Sequence, residues 1–226
     1  MSIGMIIFTF LYILFFPAVL LILSGDILWL KGWIFAIWFI VLCFVTIIHL
    51  YRTDPALLAE RYRWPGSGNQ KRWDKYVVYA LVIGFTVWIV IMPLDAKRYG
   101  WTEHFPSWIQ ILGGLLLVLS SIFFYRSYSD NTYASPLVRI QRERNQQVVS
   151  TGVYSIVRHP MYLGSLLLFL GTPMLLASFY GLILGLVNVV ILAMRIIGEE
   201  KMLISELDGY KEYLRKVRYR LIPFIW

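Results

Sequence analysis

The stretch WIFAIWFIVLCFVTIIHL fills residues 33–50 and holds no Asp, Glu, Lys or Arg. A helix needs about 20 apolar residues to cross a bilayer, with a range of about 17–25. A helix apolar on every face has no place at a soluble surface. The stretch therefore reads as a membrane span. Working outward, comparable runs occupy 3–23, 76–94, 108–125, 162–177 and 180–197. Only Ser178 and Phe179 separate the last two. One helix through both would be too long for the hydrocarbon core, so a tight hairpin is expected. The expected fold is an all-α integral membrane protein of about six transmembrane helices with a cytoplasmic C-terminal helical tail. It forms a single transmembrane domain over 1–226, with four spans in 1–125 and the polar, chemistry-bearing half in 126–226. The first run begins without positive charge and shows no small-residue cleavage pattern, so it reads as a retained helix.

Composition agrees. Apolar residues make up 59 % and charged ones 15 %, against about 45–50 % and about 25 % in soluble domains. The net charge of +8 is distributed as topology requires. Alternate loops and the tail carry eighteen Lys and Arg, and the intervening loops only Lys31, Lys97 and Arg98. Cytoplasmic loops are the basic ones, which puts both termini and the basic loops inside. A bilayer, not a nucleic acid, is the partner this pattern implies. Trp29, Trp33, Trp73, Trp101 and Trp108 fall near segment ends, where an aromatic belt sits. Gly181 and Gly185 form a small-xxx-small pair suited to close helix packing. Cys43 is the one cysteine; it excludes an internal disulfide or a cysteine metal cluster and reads as a packing residue.

Polar residues gather in three places on the expected cytoplasmic side. One is Ser129 to Tyr133, including Asn131. The second is Ser150-Thr151-Gly152-Val153-Tyr154 through Arg158-His159-Pro160-Met161-Tyr162-Leu163-Gly164. The third is Glu199-Glu200, directly after the last span. Pro160 suits a first helical turn, which puts Arg158 and His159 at a helix N-terminus, where anions are held. A hairpin returns Glu199 and Glu200 to that same mouth. An acid pair beside a basic pair matches a zwitterion such as an amino-acid head group. The plain alternative is a solvated acid pair and a topological arginine. His49, His104 and His159 are dispersed, so no metal site is expected; no Gly-x-Ser-x-Gly elbow occurs. Residues 201–207 read as a short amphipathic helix that Gly209 ends, followed by a tail in which Tyr210, Tyr213, Tyr219, Phe224 and Trp226 alternate with cations. That tail reads either as an interfacial segment on anionic lipid or as a lid.

The run from Val149 to Gly164, then Glu199-Glu200 with Leu203, then Gly209-Tyr210 and Tyr213, resembles the isoprenylcysteine carboxyl methyltransferase family and, in part, phospholipid N-methyltransferases, with a bacterial cast. The resemblance covers roughly residue 131 onward; the first half matches only as generic spans. It implies a methyltransferase using S-adenosylmethionine, set in a membrane (the bacterial inner membrane for that branch) with its site facing the cytoplasm. Carried over residue by residue, it implies a cofactor site of Tyr154, His159, Pro160, Tyr162, Gly164, Glu199 and Glu200. It implies catalytic or cofactor-carboxylate roles for Arg158 and His159, and acceptor contacts from Asn131, Tyr213 and Arg218. The acceptor is small or lipophilic and ends in a thiol, carboxylate or amine. Two rivals stand beside this reading. One is a membrane reductase using NADPH, with Arg139, Arg142 and Arg144 as a phosphate clamp. The other is a lipid-binding or transport protein, which intramembrane charges would favour.

Overall fold

A computed structural model describes residues 3–226. Its helices are α1 (Ile3–Ser24), α2 (Leu30–Thr53), α3 (Pro55–Arg61), α4 (Arg72–Pro93), α5 (Ser107–Asp130), α6 (Pro160–Leu176), α7 (Phe179–Glu206) and α8 (Tyr210–Lys216). A π-turn, Leu94–Arg98, continues α4, and two short 3-10 turns, Arg142–Arg144 and Gly152–Ser155, punctuate the segment before α6. No strand occurs among the described residues. The protein is an all-helical, multi-pass membrane protein. α2, α4 with its π-turn, α5 and α7 are long and apolar enough to cross a bilayer; α6 and the Thr9–Ser24 part of α1 are shorter apolar helices.

The chain forms two compact units. One is Met1–Ile47, Gly84–Val118 and Leu168–Asn188; the other is Ile48–Ile83, Leu119–Leu167 and Val189–Trp226. α2, α4, α5, α6 and α7 each give a segment to both.

In the first unit, Trp88 is fully buried, its ring 5.5 Å from Phe85 and 5.2 Å from Phe169. Gly185 lies so close to the Phe169 carbonyl that any Cβ would collide with it, which is the close packing expected of the small-xxx-small pair. The break between α6 and α7 falls at Ala177, whose φ is 65°. Ser178 caps α7 by accepting from the Gly181 N–H at 2.9 Å. The buried Asp95 carboxylate accepts from the Ser178 hydroxyl at 2.6 Å, from the Tyr180 N–H at 3.2 Å and from Thr102 at 2.9 Å. A carboxylate against the first turn of α7 is held by that helix's positive end. The expected tight hairpin is thus a capped, two-helix turn.

In the second unit, Asp54 caps α3 by accepting from the Leu57 N–H at 2.9 Å, with Pro55 in the first turn. This helix was not expected. Val138, Ile140, Met202, Leu203, Tyr210, Tyr213 and Val217 form one apolar cluster, joining α7, α8 and the segment after α5. Two buried ion pairs join other elements to these: Glu60 of α3 with Arg139 at 2.7 Å and Asp74 of α4 with Arg195 of α7 at 2.7 Å. Arg195, counted from sequence as a topological cation, is 7 % exposed and committed to Asp74.

One expectation is overturned. Residues 201–207 are not a separate helix, because α7 continues unbroken through Glu200 to Glu206. Met202 and Leu203 are buried in the tail cluster, so the amphipathic pattern marks a helix end that packs, not a new start.

Candidate functional site

Everything at the site belongs to the second unit. The local build begins at Gly152, whose φ of 57° permits the turn before α6. A Cβ there would strike the Asp130 carboxylate, which accepts from the Val153 N–H at 2.9 Å. The turn carries Tyr154 inward and delivers Arg158, His159 and Pro160 to the start of α6.

The tail holds that start in place. The Arg158 and His159 N–H groups donate to the Tyr219 and Arg220 carbonyls, each at 3.0 Å. Nη1 of Arg158 donates to the Val217 carbonyl at 2.8 Å and the Arg218 carbonyl at 2.6 Å. Tyr213 donates to the Tyr154 carbonyl at 2.7 Å. The tail thus packs on the start of α6, and Tyr210 and Tyr213 line the cleft.

Behind that wall sits Glu200, 3 % exposed. Its Oε1 accepts from Arg158 Nε at 2.6 Å and lies 3.2 Å from His159 Nε2; its Oε2 accepts from Arg220 Nε at 2.7 Å. A buried carboxylate is tolerated only with such partners. A neutral His159 ring that donates from Nε2 to Glu200 has its acceptor at Nδ1.

In front lies a cleft. Its walls include Asn131, Tyr154, Arg158, His159, Pro160, Tyr162, Glu199 and Tyr213. They also include the apolar or amphipathic side chains of Tyr133, Val148, Val149, Leu203, Leu207 and Tyr210. Glu199 Oε2 accepts from the Tyr162 hydroxyl at 2.6 Å. The Tyr162 ring is 5.7 Å from that of His159, and the Arg195 guanidinium stands 5.8 Å from its centroid. Asp74 fixes Arg195 through two bonds, at 2.7 and 3.2 Å. Tyr162 also borders a groove bounded by Leu166, Val189, Leu192, Ala193, Leu221, Ile222, Ile225 and Trp226.

Eight of the residues read from the sequence thus converge on one cleft, and three do not line it. Glu200 is behind the wall, neutralising Arg158 instead of facing a ligand. Arg218 contributes its carbonyl, while its side chain is exposed. Gly164 lies against α5: a Cβ there would meet Phe123 and Phe124 at 3.4 Å, and its carbonyl accepts from Ser120 at 2.7 Å. Sequence reasoning missed Asp74 and Arg195 beneath Tyr162, and the extended segment Gln147, Val148 and Val149. Nothing in spacing links residue 74 to residue 195, and a short polar-apolar segment carries no period.

Two of the three arginines of the reductase reading are committed to partners within the protein. Arg139 donates to Glu60, Asn69 and Glu143, and Arg144 to the Thr132 carbonyl and hydroxyl and to Gln141. Both guanidiniums are spent within the protein.

The phospholipid methyltransferase family model matches residues 108–208. The chain is 33 % identical over 97 residues to protein-S-isoprenylcysteine O-methyltransferase B of Arabidopsis thaliana, covering 43 % of this chain and 46 % of that protein. It is 39 % identical over 85 residues to the protein-S-isoprenylcysteine O-methyltransferase of Schizosaccharomyces pombe, covering 37 % and 36 %. It is 37 % identical over 120 residues to that of Saccharomyces cerevisiae, covering 51 % and 49 %. The chain thus spans less than half the length of these relatives. Among solved structures, the eukaryotic intramembrane Ras methyltransferase, an isoprenylcysteine carboxyl methyltransferase, superposes with a TM-score of 0.57 at 19 % identity, covering 95 % of this chain and 74 % of that one. That likeness establishes a shared fold.

Proposed function

We propose, for a chain whose residues 108–208 match the phospholipid methyltransferase family model, that it is a membrane methyltransferase using S-adenosylmethionine and a lipophilic acceptor. The observation that carries the reading is the cleft itself. Its lining combines the Glu199 carboxylate and the first turn of α6 with the apolar side chains of Val148, Leu203 and Leu207. That donor set fits the cofactor. Glu199 suits an ammonium, the N-terminal end of α6 suits a carboxylate, and the apolar lining suits an adenine.

When bound, the cofactor supplies an electrophilic methyl group for an in-line displacement. The chain's own work is to align the reactants and exclude water. Tyr154, Tyr162 and Tyr213 wall the cleft. A thiol or amine acceptor gives up its proton, and Nδ1 of His159 takes it; a carboxylate acceptor needs no base. The groove beside Tyr162 takes one apolar chain of the acceptor, whose polar end then reaches the cleft from the bilayer side.

The eighteen-to-three distribution of Lys and Arg supports six spans, both termini in the cytoplasm and a cleft open to that side. A bacterial inner membrane is the setting that follows from the bacterial cast of the sequence.

Calorimetric titration of the purified protein with S-adenosylhomocysteine and with NADPH tests the assignment. Saturable binding of the first and none of the second is expected. Binding of NADPH alone would overturn it.

A further inference from the structure

Tyr162 lines both the polar cleft and the apolar groove. It is 6 % exposed, and three neighbours bound its position. The His159 ring is 5.7 Å away, the Arg195 guanidinium is 5.8 Å away, and the hydroxyl donates to Glu199 at 2.6 Å. Arg195 cannot follow the ring, because Asp74 and the Pro136 carbonyl hold it. Of these contacts, the hydroxyl bond to Glu199 is the one a ligand in the cleft competes for.

We propose that Tyr162 is a movable partition between cofactor cleft and acceptor groove, latched by Glu199 and released when the cofactor's ammonium takes that carboxylate. The idea rests on the methyltransferase reading and deepens it, since it fixes the order in which the two substrates enter. The latch is a neutral phenol donating to a carboxylate. An ammonium is a charged donor and makes the stronger bond with the same oxygen. A displaced phenol cannot stay buried without a partner, so the ring turns out of the wall and joins the two spaces. Methyl donor and apolar acceptor then meet where Tyr162 stood. Without cofactor the wall stays shut, and an acceptor in the groove does not reach the basic His159.

Linkage makes the idea measurable: if the cofactor opens the groove, a groove ligand tightens the cofactor by the same factor. The probes are S-adenosylhomocysteine and laurate, a single apolar chain ending in a carboxylate. They are titrated calorimetrically against wild type and Tyr162→Phe in lipid nanodiscs. In wild type, saturating laurate tightens S-adenosylhomocysteine about fivefold. In Tyr162→Phe, which keeps the ring and lacks the latch, S-adenosylhomocysteine binds at least as tightly as in wild type, and laurate leaves its affinity unchanged. Equal coupling in both proteins, no coupling in wild type, or weaker S-adenosylhomocysteine binding by Tyr162→Phe each overturns the latch. A wild type that binds no S-adenosylhomocysteine at all overturns the methyltransferase reading with it.

Discussion

Arg158 and Glu200 meet at 2.6 Å behind the cleft wall, with His159 and Arg220 on the same carboxylate. This relationship divides the acid pair. Glu200 serves the protein, fixing the basic pair and the tail, and Glu199 is left to face the cleft. Removing one partner of a buried pair costs about 3–5 kcal/mol, because the other charge is stranded. Arg158→Ala therefore also frees the Val217 and Arg218 carbonyls. It is expected to speed tryptic cleavage at Lys216 and Arg218 as well as to weaken S-adenosylhomocysteine. Unchanged cleavage would mean that the tail does not depend on Arg158.

Glu200→Gln is expected to lower the thermal midpoint of the protein. It acts on S-adenosylhomocysteine only through the disturbed tail. A variant with wild-type thermal stability and strongly reduced affinity would return Glu200 to the list of direct ligands.

Gly164→Ala is a clean discriminator. The new methyl group meets Phe123 and Phe124 at 3.4 Å, ordinary contact at the α5 face. Unaltered S-adenosylhomocysteine affinity is expected. A loss of tenfold or more would put Gly164 back in the cofactor site, as the family resemblance implied.

The buried pair of Glu60 and Arg139 predicts a pH dependence of stability. Burial alone would raise the Glu60 carboxyl. Hydrogen bonds from Arg139 and Ser135 and the charges of Arg139 and Arg63 outweigh that and hold it below the ordinary value of 4.5. A carboxyl depressed in the folded state stabilises fully above its unfolded value, and that share is lost as pH falls through the folded one. The thermal midpoint of wild type should therefore fall as pH is lowered below 4.5. Glu60→Gln should start lower at neutral pH and fall less. Parallel curves would show that the pair contributes nothing through this carboxyl.

The sequence was most legible where physics is periodic or additive. The run at 33–50 betrayed α2 because bilayer thickness sets a length that no other signal mimics. The motif from Arg158 to Tyr162 was legible because Pro160 marks a helix start and the hairpin fixes what lies beside it. What stayed hidden depends on pairing across the fold. Asp74 carries no signal in the sequence, and only its place opposite Arg195 makes it the support of Tyr162. Glu199 and Glu200 are neighbours in sequence, yet a turn of about 100° per residue along α7 sends one toward the cleft and one behind it. The zwitterion argument assigned both to the ligand, because spacing alone does not say which carboxylate the protein keeps for itself.

The central claim is that the cleft reads an amino-acid head group through Glu199. Titrating wild type and Glu199→Gln with S-adenosylhomocysteine, and with an analogue lacking its amino group, tests it most directly. A charge-assisted hydrogen bond contributes about 1.5–3 kcal/mol, which is about tenfold to a hundredfold in affinity. The account predicts that loss for S-adenosylhomocysteine on Glu199→Gln and nearly equal affinities of the two proteins for the deaminated analogue. Equal binding of S-adenosylhomocysteine by both proteins would contradict it.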